Sequence, residues 1–326
     1  MNPIANKCVL VTGASGFVGR ELLKHLVANP LIDVRGAVRR KIEGGIDSAK
    51  YVYTEPLGPN TFWKEALEGV DVVVHTAARV HMLKDSARNA LSEFRYANVA
   101  GTLQLARQAA AAGVQRFVFL SSIKVNGELT FPNRPFRAND PPMPMDPYAV
   151  SKYEAEQGLW EIHNTLGMDV VVIRPTLVYG QAVRANFHRM MQCLYRGIPL
   201  PLAGIDNLRS LVSLDNLVDF IQTCASHAAA ANRTWLVSDG EDLSTPELLR
   251  QLGSALNRPA RLFAVPEAIL LNAIKLIGRA DYANRLLGSL QVDISKTREI
   301  LNWSPPKGTR ECLIGTALHF LDSQKK

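Results

Sequence analysis

Cys8-Val-Leu-Val-Thr12-Gly13-Ala-Ser-Gly16-Phe-Val-Gly19 decides the fold. Residues 8–12 are a short β-rich apolar run, the pattern of a parallel strand buried on both faces. The run passes directly into a glycine-rich turn. An amphipathic helix follows from Phe17 to Ala28, with Leu22, Leu23, Leu26 and Val27 on its inward face. Glycines at such a turn let backbone N–H groups come close to a pyrophosphate, and the helix N-terminus adds favourable dipole charge. Gly13, Ser15, Gly16, Phe17 and Val18 are therefore candidate cofactor contacts. A glycine-rich turn alone is a weak signal; one with the required strand before it and helix after it is strong.

Outward from this unit the chain alternates strand and helix. Strands are expected at 33–38, 51–55, 70–75, 115–120 and 169–173. Helices are expected at 61–67, 86–112 and 148–166, the second carrying Asn98 and ended by Gly113. That alternation predicts a Rossmann-type, doubly wound parallel α/β sheet with a smaller C-terminal substrate-binding lobe. The dinucleotide-binding domain is placed at 1–175, with segments near 208–240 returning to the sheet. The lobe is placed mainly at 176–326, with helices at 186–196, 214–226, 245–256, 266–277 and 311–321. Asn126 to Asp146, rich in Pro, Asn and Gly, reads as a loop.

The 326 residues are 47% hydrophobic, enough for a sizeable core, and no apolar run is long enough to span a bilayer. The N-terminus leaves no room for a signal peptide, and the four cysteines lack metal or redox spacing. A reduced, cytoplasmic protein without a metal site is expected. The net charge of +7 comes with no Lys/Arg block longer than Arg39-Arg40-Lys41. It points to a small anionic ligand rather than to nucleic acid or a membrane surface.

Two sites carry the chemistry. The second expected strand ends in Val38-Arg39-Arg40-Lys41, where an NAD site usually places a carboxylate for the ribose 2′-OH. Arg39 and Arg40 suit a 2′-phosphate instead, so NADP(H) is favoured over NAD(H). Tyr148-Ala-Val-Ser-Lys152 places a phenol and an ammonium on one helix face. Of the eight tyrosines only Tyr148 has a lysine four residues on. A nearby ammonium favours the phenolate, moving an ordinary phenol pKa of about 10 toward the working range. Ala77 and Ala78 follow the fourth strand, and Ser121 and Ser122 the fifth, where open α/β sheets bind ligands.

These motifs, with Asn98-Val-Ala-Gly101-Thr102 and Arg174-Pro175 before Val178-Tyr179-Gly180, resemble those of the extended short-chain dehydrogenase/reductases. The resemblance is to the UDP-glucose 4-epimerase-like nucleotide-sugar enzymes and covers almost the whole chain. It implies that Tyr148 is the acid-base group, that Lys152 holds the nicotinamide ribose and tunes Tyr148, and that Ser122 bonds the reacting oxygen. It adds Asn98 and Pro175 to the cofactor set. Asn186, Arg209 and Arg285 fall where relatives grip a nucleotide diphosphate; Arg79, His81 and Lys124 are placed at the sugar. Pro56 stands where the family often has a carboxylate for adenine, leaving the Leu57 N–H to serve.

His75–Asp85, Ser121–Gly127 and Val237–Thr245 look like a bacterial O-antigen subgroup. That subgroup includes UDP-4-keto-6-deoxy-N-acetylglucosamine 4-reductases, which make UDP-N-acetylquinovosamine. The expected function is thus NADPH-dependent reduction of the C4 ketone of a UDP-4-keto-6-deoxy-N-acetylhexosamine in surface-polysaccharide synthesis. An NAD-dependent UDP-hexose or UDP-N-acetylhexosamine 4-epimerase is the alternative, and a non-catalytic NADP(H) sensor the second. A homodimer is expected, since relatives often pair through a helix bundle.

Overall fold

The computed structural model describes residues 7–41, 45–46, 48–80, 90–276 and 286–325. Its centre is a seven-stranded, wholly parallel sheet. The strands are β1 (Cys8–Thr12), β2 (Asp33–Val38), β3 (Lys50–Tyr53), β4 (Val72–His75), β5 (Arg116–Leu120), β6 (Asp169–Pro175) and β9 (Arg233–Val237), in the order β3-β2-β1-β4-β5-β6-β9. The order reverses between β1 and β4, which opens a crevice at the carboxyl ends of those two strands. Every residue of β1 and β4 is buried. That explains why both read as continuous apolar runs rather than alternating ones.

Two cores sandwich the sheet. Val9, Val11, Leu22, Leu23, Leu26 and Phe220 belong to one, with α1 (Phe17–Val27) and α7 (Leu214–Ser226) as its cover. Leu10, Phe117, Leu105 and Leu159 belong to the other, beneath α4 (Thr102–Ala111) and α5 (Pro147–Leu166). A third core builds the C-terminal lobe from α6 (Ala185–Tyr195), α8 (Thr245–Ala255) and α11 (Thr309–Gln324). A small second sheet, β10 (Asp242–Leu243), β8 (Arg209–Ser213) and β7 (Leu177–Tyr179), adjoins that core. Within 208–240, β9 enters the main sheet whereas β8 lies in the small one. Short helices α2 (Lys64–Leu67), α9 (Glu267–Leu276) and α10 (Ser295–Leu301) complete the described chain.

The helix expected over 86–112 is not one regular helix. Its described part is α3 (Ala90–Phe94), a π-helical stretch Arg95–Gly101, then α4. The tertiary contacts of this stretch are close. A Cβ on Gly101 would lie 2.8 Å from the Gly58 backbone nitrogen, so the segment runs hard against residues 57–58. Asn98 is turned inward and fully buried there. Such π segments recur at functional sites. No described helix is long and apolar enough to cross a membrane.

The first turn depends on close approach. Gly13 has φ +70°, and Gly16 N–H donates to its carbonyl at 2.8 Å. A Cβ on Gly19 would sit 2.3 Å from that same carbonyl oxygen. Gly19→Ala should therefore push α1 off β1, lower stability by about 1–3 kcal/mol and weaken dinucleotide binding. Gly113 has φ +83° with open space around its Cβ position, so Gly113→Ala costs only backbone strain, about 1 kcal/mol. Thermal melts of both variants with a cofactor titration check the contrast: only the first should lose affinity.

Candidate active site

Helix α5 carries the candidate acid-base residues, and its start is tightly fixed. Asp146 is the N-cap and accepts from Ala149 N–H at 2.7 Å; Pro147 occupies the first helical position; Gly167 ends the helix at φ 74°. A spacing of four then stacks Tyr148, Lys152 and Glu156 along one face. Lys152 is 2% exposed. Its Nζ donates to the Leu120 carbonyl at 2.8 Å and lies 4.3 Å from the centre of the Phe119 ring. Burial lowers its pKa to about 7, against a smaller upward pull from Glu156.

Tyr148 is half-buried, with Phe94 edge-on at 6.0 Å. Its phenol does not follow the expected tuning. Burial, and then the Asp146 carboxylate, push it above the ordinary value. Lys152 does not offset them, because its ammonium is turned to the Leu120 carbonyl and is itself weakened by desolvation. These surroundings favour the protonated phenol.

Ser122 is the N-cap of a short 3₁₀ turn, Ile123–Val125, and its hydroxyl accepts from Lys124 N–H at 3.3 Å. Two links bind this turn to the start of α5. One is the Lys152–Leu120 hydrogen bond, two residues before Ser122. The other is the ion pair of Lys124 with Asp146, beside which Glu128 stands at 3.8 Å. The ammonium of Lys124, expected at the sugar, thus sits between two carboxylates.

Asn98 is 1% exposed. Its Oδ1 accepts from Arg79 N–H at 2.7 Å, and its Nδ2 donates to the Arg79 carbonyl at 3.1 Å and to Ser151 Oγ at 3.1 Å. It thereby clamps the chain leaving β4 to α5, and that clamp is what its amide does here. The guanidinium of Arg79 faces Glu93 at 3.7 Å.

The glycine turn fits a dinucleotide. The first turn of α1 is capped by Gly16 without a side-chain bond, so its amides are open to an anion. Ser15, Gly16 and Phe17 are exposed there and Val18 is half-buried. A Cβ on Gly13 would lie 2.7 Å from Ala77 N, so the β1 turn meets the chain at Ala77 and Ala78 in the crevice. Arg39 and Arg40 are exposed at the carboxyl end of β2. Leu57 is half-buried beside Gly101. Pro175 is buried at the end of β6.

Beneath the turn, His75 is fully buried. Its Nδ1 meets Thr12 Oγ1 at 2.6 Å and its Nε2 meets Thr102 Oγ1 at 3.0 Å. Burial and the Lys152 charge lower its pKa to about 3, so it is a neutral structural bridge. In the lobe, Asn186 is exposed on the first turn of α6, and Arg209 Nη1 donates to the Gly288 carbonyl at 2.9 Å. His81 and Arg285 lie outside the described residues. Sequence reasoning missed Glu156 and gave Arg174 no role; the spacing of Glu156, four beyond Lys152, was the available signal.

Lys152 has a consequence for stability. Its folded pKa, about 7, is below its ordinary 10.5, so the unfolded chain binds more protons between those values. Stability therefore rises with pH across that window, and the full cost of burying the ammonium is felt below it. Lys152→Met should melt above the native protein at pH 7, by an amount on the order of a few kcal/mol. The gap should close toward pH 10. A series of thermal melts across that range checks it.

Residues 9–238 match the model of the NAD dependent epimerase/dehydratase family. A UDP-glucose 4-epimerase of Vibrio cholerae is 44% identical over 321 residues, covering 98% of this chain and 97% of its own. UDP-glucuronic acid 4-epimerase of Bacillus cereus, solved with UDP-glucuronic acid and NAD, superposes with a TM-score of 0.78 at 19% identity, over 97% of this chain and 99% of that one. UDP-glucose 4-epimerase of Thermotoga maritima, solved with UDP-glucose, gives 0.75 at 20% identity and the same coverage. The chain belongs to the NAD dependent epimerase/dehydratase family, the extended short-chain dehydrogenase/reductases that include the UDP-glucose 4-epimerases.

Proposed function

We propose that this enzyme reduces the C4 ketone of a UDP-4-keto-6-deoxy-N-acetylhexosamine with NADPH, giving UDP-N-acetylquinovosamine or its C4 epimer. The observation that carries the choice is the exposed Arg39-Arg40 pair closing β2, where a carboxylate would favour NAD. A guanidinium fork there matches a 2′-phosphate.

In this reading Gly13, Gly16 and the first turn of α1 hold the pyrophosphate, and Arg39 and Arg40 the adenosine 2′-phosphate. When bound, the nicotinamide supplies a hydride to sugar C4. Ser122 donates a hydrogen bond to the carbonyl oxygen and orients it. Tyr148 gives that oxygen its proton as negative charge develops, and the ketone becomes an alcohol. Lys152 would hold the nicotinamide ribose from the same helix. Residues 176–326, with Asn186 and Arg209, mainly hold the nucleotide sugar. The same reading makes the enzyme a cytoplasmic homodimer.

The full-length similarity to a Vibrio cholerae UDP-glucose 4-epimerase favours a second reading, epimerisation at C4 with retained NAD. Incubation with UDP-N-acetylglucosamine and no added cofactor separates the two. UDP-N-acetylgalactosamine as product would replace the reductase reading with the epimerase one. Consumption of NADPH only with the 4-keto sugar would uphold the reductase.

Tyr148→Phe should lower kcat by at least about a thousandfold while NADPH still binds, because only the proton donor is lost. Full activity in that variant would remove Tyr148 from the mechanism. Arg39→Ala combined with Arg40→Ala should raise KM for NADPH by about tenfold or more and leave that for NADH nearly unchanged. Steady-state kinetics with both cofactors checks this.

A further inference from the structure

A buried polar cluster lies directly behind the catalytic face. Glu156 is 1% exposed, one helical turn beyond Lys152. Arg174 of β6, also buried, donates to it twice: Nε to Oε1 at 3.0 Å and Nη2 to Oε2 at 2.5 Å. Ser121 Oγ donates to the same Oε1. Arg174 Nη1 donates onward to Asn126 Oδ1 at 2.9 Å. Asn126 in turn donates from Nδ2 to the Arg137 carbonyl at 2.9 Å. The cluster therefore grips both ends of the segment 121–126 that contains Ser122.

The arrangement is costly for a merely structural tie. Two charges and an amide are taken out of water, where apolar side chains of similar volume pack as well or better. What the carboxylate supplies that a leucine does not is negative charge beside Lys152 and an acceptor for Ser121. We propose that Glu156 is a positioning residue for the reaction. It sets a carboxylate one helical turn from Lys152 and holds the Ser121–Ser122 turn in register with Tyr148.

This rests on the catalytic reading of Tyr148, Lys152 and Ser122 given above. Among the described residues, the charged and titratable groups near Lys152 come from three elements. On α5 they are Tyr148 and Glu156; His75 comes from β4 and stays neutral; Arg174 comes from β6 but is spent on Glu156 and Asn126. At the helix start Asp146 is paired with Lys124, and on the outer face Arg95 is paired with Glu154 at 2.5 Å. Glu156, although paired with Arg174, pulls the Lys152 pKa upward against desolvation.

The test titrates Lys152 directly, by NMR of ¹³C-labelled lysine in the full chain without cofactor, alongside pH profiles of kcat. Glu156→Gln should lower the Lys152 titration by about half a pH unit or more. It should also cut kcat about tenfold or more with cofactor affinity little changed. Glu156→Gln with Arg174→Gln, which leaves no unpaired buried cation, should show the same downward shift if the single variant fails to fold. Ser121→Ala should lower kcat severalfold without moving the titration, since it loosens the turn and leaves the charge. An unmoved Lys152 titration with native kcat in the glutamine variants would overturn the proposal, as would native kcat in Ser121→Ala. The catalytic reading fails separately: full activity of Tyr148→Phe, together with a shifted Lys152, would leave the electrostatic role standing and remove the chemistry above it.

Discussion

The site is organised around one desolvated cation. Lys152 Nζ is held between the Leu120 carbonyl and the Phe119 ring, with almost no water contact. A buried ammonium is unfavourable unless it is paired or bonded. The surrounding elements supply what it needs: a strand-end carbonyl, an aromatic face and a carboxylate one turn along its helix. The contacts that stabilise Lys152 also lock α5 against the end of β5. The phenol of Tyr148 and the hydroxyl of Ser122 are thereby set on facing elements. Placement of Tyr148 and Ser122 and tolerance of the buried charge are the same piece of packing.

That packing extends in two directions. Toward the cofactor side, His75 bridges Thr12 and Thr102 and ties β1 to α4 beneath the glycine turn. Toward the crevice wall, Asn98 ties the chain after β4 to Ser151 on α5. Both side chains are buried and fully used by neighbours. Neither is free to follow a ligand, so the crevice is pre-organised by polar bridges rather than by apolar contact alone. The Asp146–Lys124 pair adds a third bridge, and burial followed by the Asp146 carboxylate biases Tyr148 toward its protonated form.

Much of this was legible in the sequence for a simple reason. Strands buried on both faces are continuous apolar runs, and a dinucleotide turn needs glycine at fixed offsets, so residues 8–19 announced themselves. The parallel sheet, the crevice and the pairing of Tyr148 with Lys152 on one face followed. Less visible was anything set by tertiary contact. The π-helical stretch around Asn98 runs close against residues 57–58, and β7 and β10, at three and two residues, are too short for a periodic signal. Glu156 looks like any glutamate on a long helix until β6 brings Arg174 to it. Lys124 looked available to a substrate until Asp146, 22 residues on, was found beside it. Ionic partners distant in sequence are what periodicity cannot show.

The central claim is that hydrogen passes between a dinucleotide and C4 of a UDP-sugar at the Tyr148–Lys152 face. Reduction of the UDP-4-keto-6-deoxy sugar with NADPH carrying deuterium at both nicotinamide C4 positions measures this most directly. NMR of the product should show one deuterium at sugar C4. A product whose C4 carries protium, or a ketone left unreduced while the protein binds NADPH, would contradict the account.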